Sequence, residues 1–510
     1  MTLTVAQAFQ GKRVLLTGAT GFVAKVVLEK LIREVPDIGA VILPMRGSRD
    51  HPDPRSRFHA EVLSSTIFDT LREQSPAQFE RFVAERLQVL GAELTEPRLG
   101  LDEPAFAQLA EGIDLIVNVA ASVDFREELD RALAINTRSV ATLCELSEAA
   151  GGAPVVQVST CYVNGYRRGR IEETIESPWQ LQLSRTPSGA FDVDALIQEL
   201  SLAAEQVRQA ESCPKARSRA LIALGVKEAR KRGFNDTYTL TKWLGEQVAW
   251  NARHPRSLAV VRPAIVESTW TSPRPGWIEG IKVGDAIILA YARGKTRFFP
   301  ARRAGVVDIV PVDLVANGII LAGAEALQAP GSRKIYQCGT STRNPVTIGR
   351  YIELCQAEML GNGSAYPRLI RKPITRPFTA VPRPAFLAAL ALANVAVCAI
   401  DKVSGWLRLD RQPLGEALET TRSLVTAFSF YSSPQYVFEN RELLALGERF
   451  GEQDRARFQV DPAGLDWAHY VAKVHLPGLE HSAFKAPAPA APERAAVTAT
   501  IGQVSGTPAR

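Results

Sequence analysis

Arg13-Val-Leu-Leu-Thr-Gly-Ala-Thr-Gly-Phe-Val-Ala24 is the stretch on which the fold turns. Arg13 to Thr17 reads as a short strand, and Phe22 to Glu34 as a helix whose apolar face is Val26, Val27, Leu28, Leu31 and Ile32. Between them, Gly18 and Gly21 let the backbone turn tightly and approach a bound group closely. Ala24 is small enough for helix and strand to pack against each other. A glycine loop that leaves a strand and opens a helix is a seat for a pyrophosphate, because anions are favoured where unpaired N–H groups gather.

Outward from this loop, the pattern of strand and helix continues. Ala40 to Met45, Leu87 to Leu90, Leu115 to Ala120, Val155 to Ser159 and Leu258 to Arg262 read as further strands, with a helix over Asp130 to Glu148. Short β-branched runs alternating with helices predict an α/β fold, a Rossmann-type doubly wound parallel sheet. The wide separation of the fifth strand from the sixth predicts an inserted substrate lobe over about 166–235. Past about residue 340 the character changes. Pro373, Pro377, Pro382 and Pro384 predict an extended linker, and Ala385 to Ile400 is an uncharged stretch interrupted by Asn394. It is shorter than the roughly 20 residues that span a bilayer, which favours a buried or interfacial helix. The expected domains are 1–355, binding a dinucleotide; 356–484, mainly helical; and 485–510, a disordered tail rich in Ala and Pro.

Bulk properties narrow the function classes. The chain has 510 residues, 46% of them hydrophobic, with a net charge of +6. It holds no long run of like charges, so a nucleic-acid partner is not expected. The six cysteines are dispersed without a CxxC pair, which argues against a disulfide framework or a structural zinc site and suits a reducing, cytoplasmic setting. The first ten residues lack the pattern of a signal peptide. The six histidines leave 60–253 empty, so chemistry placed there works without imidazole, and no metal is expected.

The end of the second strand bears on which dinucleotide is held. An acidic residue there would hold a ribose 2′-hydroxyl. Here the strand runs into Met45-Arg46-Gly-Ser-Arg49, and guanidinium groups suit a 2′-phosphate, so NADPH is expected over NADH.

Tyr238-Thr-Leu-Thr-Lys242 puts a phenol and an ammonium on one face of a helix, a proton donor beside a charge expected to lower its pKa. Tyr291-Ala-Arg-Gly-Lys295 repeats the spacing, but it contains Gly294 and follows the sixth strand, so placement selects Tyr238. Val158-Ser-Thr-Cys-Tyr-Val-Asn-Gly165 leaves the fifth strand where such sheets bind ligands, and Thr160, or else Ser159, offers a hydroxyl to a substrate oxygen. Cys161 raises the alternative of a thioester nucleophile, but no base is near it in sequence and a small buried residue is the better reading.

Thr17 to Lys25, Asn136, Ser159-Thr160, Tyr238/Lys242 and Arg262-Pro263 together resemble the extended short-chain dehydrogenase/reductase superfamily. With Val158 to Gly165, Thr237 to Lys242, Pro275-Gly-Trp-Ile-Glu279 and Asp308 to Leu314, the chain is more narrowly similar to the fatty acyl-CoA reductases over about residues 10–355. The resemblance implies Thr160 as carbonyl holder, Tyr238 as acid and Lys242 as the bridge to the nicotinamide ribose. It also implies a dinucleotide seat built from Thr17, Gly18, Thr20, Gly21, Phe22, Val23, Arg46, Arg49, Ala120, Asn136, Ser159, Pro263 and Ile265. The Gly-Asp usual after the third strand is Ala92-Glu93 here, which leaves the adenine contact to Glu93. NADPH and a long-chain acyl-CoA are the implied reactants, reduced through the aldehyde to a fatty alcohol of the kind used in wax esters. Arg230 and Lys231, in a basic run before the catalytic helix, are candidates for the phosphates of coenzyme A. The competing readings are an aldehyde-forming reductase, a sugar-nucleotide epimerase or dehydratase, and a non-catalytic NADP sensor. Peripheral membrane contact and oligomeric state stay open.

Overall fold

The computed structural model describes residues 3–253, 255–389, 391–392 and 430–483. Residues 393–400 of the uncharged stretch and the Ala- and Pro-rich tail lie outside them. Seven strands form one parallel sheet: β1 Arg13–Thr17, β2 Ala40–Met45, β3 Leu87–Gly91, β4 Leu115–Asn118, β5 Val155–Val158, β6 Leu258–Pro263 and β7 Arg333–Cys338. Their order is 7-6-5-4-1-2-3, so the winding reverses between β1 and β4, where a crevice opens at the carboxyl edge.

Both faces of the sheet are buried, and the strands show why. Val14 and Leu16 enter one core with Val41, Val117, Val156 and Val261, whereas Leu15 enters the other with Ile42, Ile116, Val155 and Val260. The period of two that divides a strand between faces here gives apolar contacts on each side. Helix α1 (Phe22–Glu34) covers the first face, with a long helix, Val312–Gln328, beside it. On the second face lie α2 (Ser139–Ala149) and, across an insert, the pair α3 (Asp194–Ala210) and α4 (Pro214–Lys231). These pack around α5 (Thr237–Asn251), which is buried from Thr239 through Gln247. Gly225 makes this possible: a Cβ there would lie 2.4 Å from the Thr237 hydroxyl.

Several expectations are corrected. Strand β4 stops at Asn118, two residues short of Ala120, because the chain must bend there toward the glycine loop. The helix expected over Asp130 to Glu148 is interrupted: Leu129–Leu133 runs into a wide turn at Ala134–Arg138 before α2 begins. Strand β7 was not anticipated at all. The proline-rich linker contains a short strand, Thr379–Val381, paired with Phe298–Pro300. The boundary set at 355 falls inside the helix Ile348–Gly361, and Tyr436, Phe438, Leu443, Phe450 and Phe458 share the core of the sheet. Tyr436–Phe438 also pairs with Gly169–Ile171 of the insert, so the chain's last described part is stitched to its middle.

One buried ion pair ties α5 to the sheet. Arg262 Nε and Nη2 donate to the two carboxylate oxygens of Glu246 at 2.9 and 2.6 Å, and Nη1 donates to the Thr174 carbonyl at 3.0 Å. Both side chains are sealed from water. Removing one member leaves the other charged and unpaired, so Arg262→Met is expected to cost about 3–5 kcal/mol in urea unfolding. A loss under about 1 kcal/mol would show the pair to be incidental.

Candidate active site

The glycine loop is shaped by what it must approach. Gly18 has φ +73°, and a Cβ there would lie 2.9 Å from the backbone of Ala120. Thr17 fixes that approach, donating through Oγ1 to Asn118 Oδ1 at 2.6 Å and accepting from the Ala120 N–H at 3.1 Å. Asn118 Nδ2 in turn donates to Gln157 Oε1 at 2.8 Å, so a buried hydrogen-bond chain crosses from β1 through β4 to β5. Sequence reading missed Asn118 and Gln157, although an amide in a strand otherwise made of Leu, Ile and Val is a visible anomaly.

Helix α1 begins at Phe22 after Gly21, with no side chain capping its first N–H groups. The indole of Trp277 stacks on the Phe22 ring, with centroids 5.3 Å apart, and the Lys282 ammonium lies 3.8 Å from that ring's centre. Lys25, itself buried, meets Glu279 at 2.5 Å. The Pro275-Gly-Trp-Ile-Glu279 motif therefore clasps the start of the dinucleotide helix. Thr20 and Val23 are half-buried in the same turn.

At the adjoining strand ends, Arg46 donates to Glu93 Oε2 at 3.0 Å, and Glu93 also accepts from the Thr95 amide and hydroxyl. Partial burial alone would raise the Glu93 pKa, but the Thr95 hydrogen bonds and Arg46 outweigh it and hold it below its ordinary value. Arg49 is exposed. Asn136 is buried and hydrogen-bonded within the protein. Its side chain bonds both backbone groups of Ser122 and the Thr241 hydroxyl, so it braces the β4 loop against α5.

Thr160, Tyr238 and Lys242 are brought together beyond β5. Asp236 accepts from the Thr239 amide at 2.8 Å and starts α5, the Asp-x-x-Thr cap that sequence reading passed over. The Thr160 hydroxyl bonds the Tyr238 phenol and donates to the Pro263 carbonyl at 3.3 Å. Lys242 Nζ donates to the Val158 carbonyl at 2.6 Å. The expected lowering of the Tyr238 pKa is corrected: burial and then Asp236 push it up, against the Thr160 bond. The phenol is thus a firmly protonated donor. Ile265 begins a short strand just after β6, and Ser159, whose amide donates to the Val261 carbonyl at 2.7 Å, has a buried hydroxyl with no partner among the described residues. A loop that excludes a Cβ, an uncapped helix start and this orphaned hydroxyl all fit a dinucleotide.

Cys161 is an inert thiol here. Its Sγ lies 2.9 Å from the Arg262 carbonyl, and burial raises its pKa well above the ordinary range. Tyr291 is not a second acid: its phenol donates to the Arg376 carbonyl at 3.1 Å. In the basic run, Lys231 lies 3.7 Å from Glu199 and Arg232 is buried against Glu228 and Glu199. Among the described residues, Glu267, Asp285 and His475 bring one ligand-type atom each within 4.8 Å of one another, a grouping the sequence did not suggest. Asp285 meets His475 at 3.1 Å, fastening the last helices to Val283–Ala292, while burial and then Asp285 push Glu267 strongly toward its neutral form.

An apolar cavity of about 130 Å³ opens beside this machinery, lined by Ile265, Ile287, Ile288, Phe299, Met359 and Tyr431 among others. Tyr431 was invisible to sequence reading, being remote in the chain, yet its phenol donates to Asp236 at 2.9 Å. Its ring packs on Phe125, which meets Tyr238 edge-on at 5.7 Å.

Residues 16–319 match the NAD-binding family described as male sterility protein. The chain belongs to this family. It is 29% identical over 506 residues to fatty acyl-CoA reductase 2, chloroplastic, of Arabidopsis thaliana, covering 95% of this chain and 80% of that one. To the alcohol-forming fatty acyl-CoA reductase of Simmondsia chinensis it is 26% identical over 495 residues, 94% of this chain and 98% of the other. The terminal R domain of the myxalamid PKS-NRPS pathway shares its fold, with TM-score 0.56, 17% identity and coverage of 94% and 91%. So does the reductase domain of a non-ribosomal peptide synthetase from Mycobacterium tuberculosis, with TM-score 0.52, 19% identity and coverage of 92% and 93%. The chain is therefore an NAD(P)-binding oxidoreductase of the extended short-chain type. No described helix is long and apolar enough to cross a membrane.

Burial lowers the Lys242 pKa to about 8, with Glu246 opposing the shift. The ammonium is lost as pH rises through that value. The kcat/KM for the dinucleotide, which reports the free enzyme, is expected to fall above about pH 8. A profile flat to pH 10 would mean that the charge of Lys242 is not used.

Proposed function

We propose that the chain reduces a long-chain fatty acyl-CoA with NADPH, through the aldehyde, to the primary alcohol, releasing coenzyme A. The observation that carries this reading is the apolar cavity whose wall residue Tyr431 packs on Phe125, the ring that meets Tyr238 of the Thr160–Tyr238 pair. A polar sugar nucleotide has no use for such walls, and a sensor has no use for the convergent hydroxyl, phenol and ammonium.

When bound, the dinucleotide would supply hydride to the thioester carbon. As the carbonyl π electrons move to oxygen, Tyr238 donates its proton to that oxygen and Thr160 holds it by a hydrogen bond. The resulting hemithioacetal returns this proton toward Tyr238 as the carbonyl re-forms, the C–S bond breaks and the thiolate leaves to take a proton from solvent. After exchange of the spent NADP+ for a second NADPH, a second hydride would reach the aldehyde carbon while Tyr238 again donates its proton to the oxygen, giving the alcohol, and the phenolate regains a proton from solvent. Lys242 holds the nicotinamide ribose in this scheme, once its ammonium exchanges the Val158 carbonyl for the sugar hydroxyls. No acyl-enzyme forms, in keeping with the sealed thiol of Cys161.

Mixing the protein with NADPH and palmitoyl-CoA should consume two nicotinamides per thiol released and yield hexadecanol on chromatography. One per thiol with hexadecanal as product would make the aldehyde the end point. No consumption across several chain lengths would overturn the reading. Tyr238→Phe should lower turnover at least about 100-fold while leaving NADPH binding intact.

The preference for NADPH is assigned to Arg46, which Glu93 holds at the β2 edge. Arg46→Glu should lower kcat/KM for NADPH about tenfold or more, equivalent to about 1.4 kcal/mol, and leave that for NADH nearly unchanged. Equal losses with both would remove Arg46 from 2′-phosphate recognition.

A further inference from the structure

A second opening, much larger than the apolar cavity, lies on the other side of the turn at 430–433. It is a cleft of about 900 Å³ lined by Arg167, Arg168, Arg302, Arg303 and Arg383, with the rings of Tyr166 and Trp179 on its wall. Among the described residues, none that lines it is acidic. Arg167 and Arg303 are neutralised from behind by Glu176 and Glu353. Arg168, Arg302 and Arg383 are exposed and have no carboxylate partner among the described residues. Trp179 is 80% exposed, an unusual position for an indole ring in a chain that buries Trp243 and Trp277 completely.

The cleft and the cavity are neighbours. Ala301 lines both, Phe430 and Ser433 face the cleft, and Tyr431 and Ser432 face the cavity. Tyr436 lines the cleft and packs on Tyr162, two residues beyond Thr160. Phe125 and Tyr431 put Tyr238 beside the same partition. An apolar pocket and a cationic, aromatic cleft thus lie to either side of one short turn, with the proton donor close by.

We infer that this cleft holds the nucleotide end of coenzyme A: Arg168, Arg302 and Arg383 take its 3′-phosphate and pyrophosphate, and the adenine stacks on Trp179 or Tyr166. Guanidinium groups match phosphate oxygens in pairs, and aromatic faces accept a purine without regard to its edge. The volume suits a small molecule, whereas an acidic carrier protein would need a broad, open face. The inference rests on the acyl-CoA reading above and moves the phosphate site away from Lys231, which is turned to Glu199. Arg230 stays at its edge, close enough to act on the Tyr166 phenol together with Arg383.

The test compares substrates with and without the nucleotide. For the double variant Arg302→Glu/Arg383→Glu, the KM for palmitoyl-CoA should rise at least tenfold. The kcat/KM for hexadecanal and for the palmitoyl N-acetylcysteamine thioester should stay within twofold of the parent. Adenosine 3′,5′-bisphosphate should inhibit the parent competitively against palmitoyl-CoA and lose that inhibition in the variant. Trp179→Ala should weaken the same inhibition. An unchanged palmitoyl-CoA KM, with hexadecanal activity intact, would overturn the cleft assignment. So would absence of inhibition by the bisphosphate in the parent, or an equal loss on the short thioester; a palmitoyl carrier-protein thioester preferred over palmitoyl-CoA would assign the arginines to a protein partner instead. If the parent reduces neither thioester nor aldehyde, the failure lies in the function reading, and the bisphosphate still tests the cleft by direct calorimetry.

Discussion

A guanidinium and a carboxylate, both cut off from water, hold the catalytic helix in place. Arg262 and Glu246 would each be costly to bury alone, and together they are tolerated only because their two hydrogen bonds are well formed and Thr174 takes a further donor. The pair joins α5 to β6 one turn beyond Lys242, so the position of the ammonium, and through the same helix that of Tyr238, follows from it. Glu246 has a second effect: its charge opposes the lowering of the Lys242 pKa by burial. Electrostatic balance and mechanical placement are thus carried by the same carboxylate.

The site works by burial where many reductive sites would use a charged neighbour. Tyr238 is kept as a neutral donor because a phenolate there would face both a low-polarity surround and the Asp236 carboxylate. The same surround makes Cys161 a packing residue. Thr17, Asn118 and Gln157 are tied into hydrogen bonds that cross the sheet, so the loop, β4 and β5 keep a fixed relation at the carboxyl edge.

Much of this was legible in the chain. Strands β1 and β2 and helix α1 fall on the expected residues, because each is a short apolar run with the period of its element and a clear glycine or charged boundary. The Thr160, Tyr238 and Lys242 grouping was also readable, since order along a parallel sheet fixes which loops share an edge. What stayed hidden has a common cause. Strand β7 is Arg-Lys-Ile-Tyr-Gln-Cys, half polar because its exposed start, the Tyr336 hydroxyl and Gln337 find partners that only the fold supplies. Tyr431 reaches Asp236 across a separation that no local pattern encodes. The pKa of Tyr238 was misjudged for a related reason: spacing gives the distance to Lys242, but burial depends on rings such as Phe125 and Tyr431 arriving from elsewhere in the chain.

The turn at 430–433 separates two media of opposite solvent character with little more than Ala301 and two pairs of side chains. A molecule lying across it behaves as a surfactant does at an oil–water boundary, each end held by the phase it prefers. Once the bond in the middle breaks, the two halves no longer share a phase. The water-loving half has every reason to depart into solvent, and the hydrocarbon half partitions back into the wall it already touches. Retention of the intermediate between successive reductions would then need no gate, only the immiscibility built into the two sides of one turn.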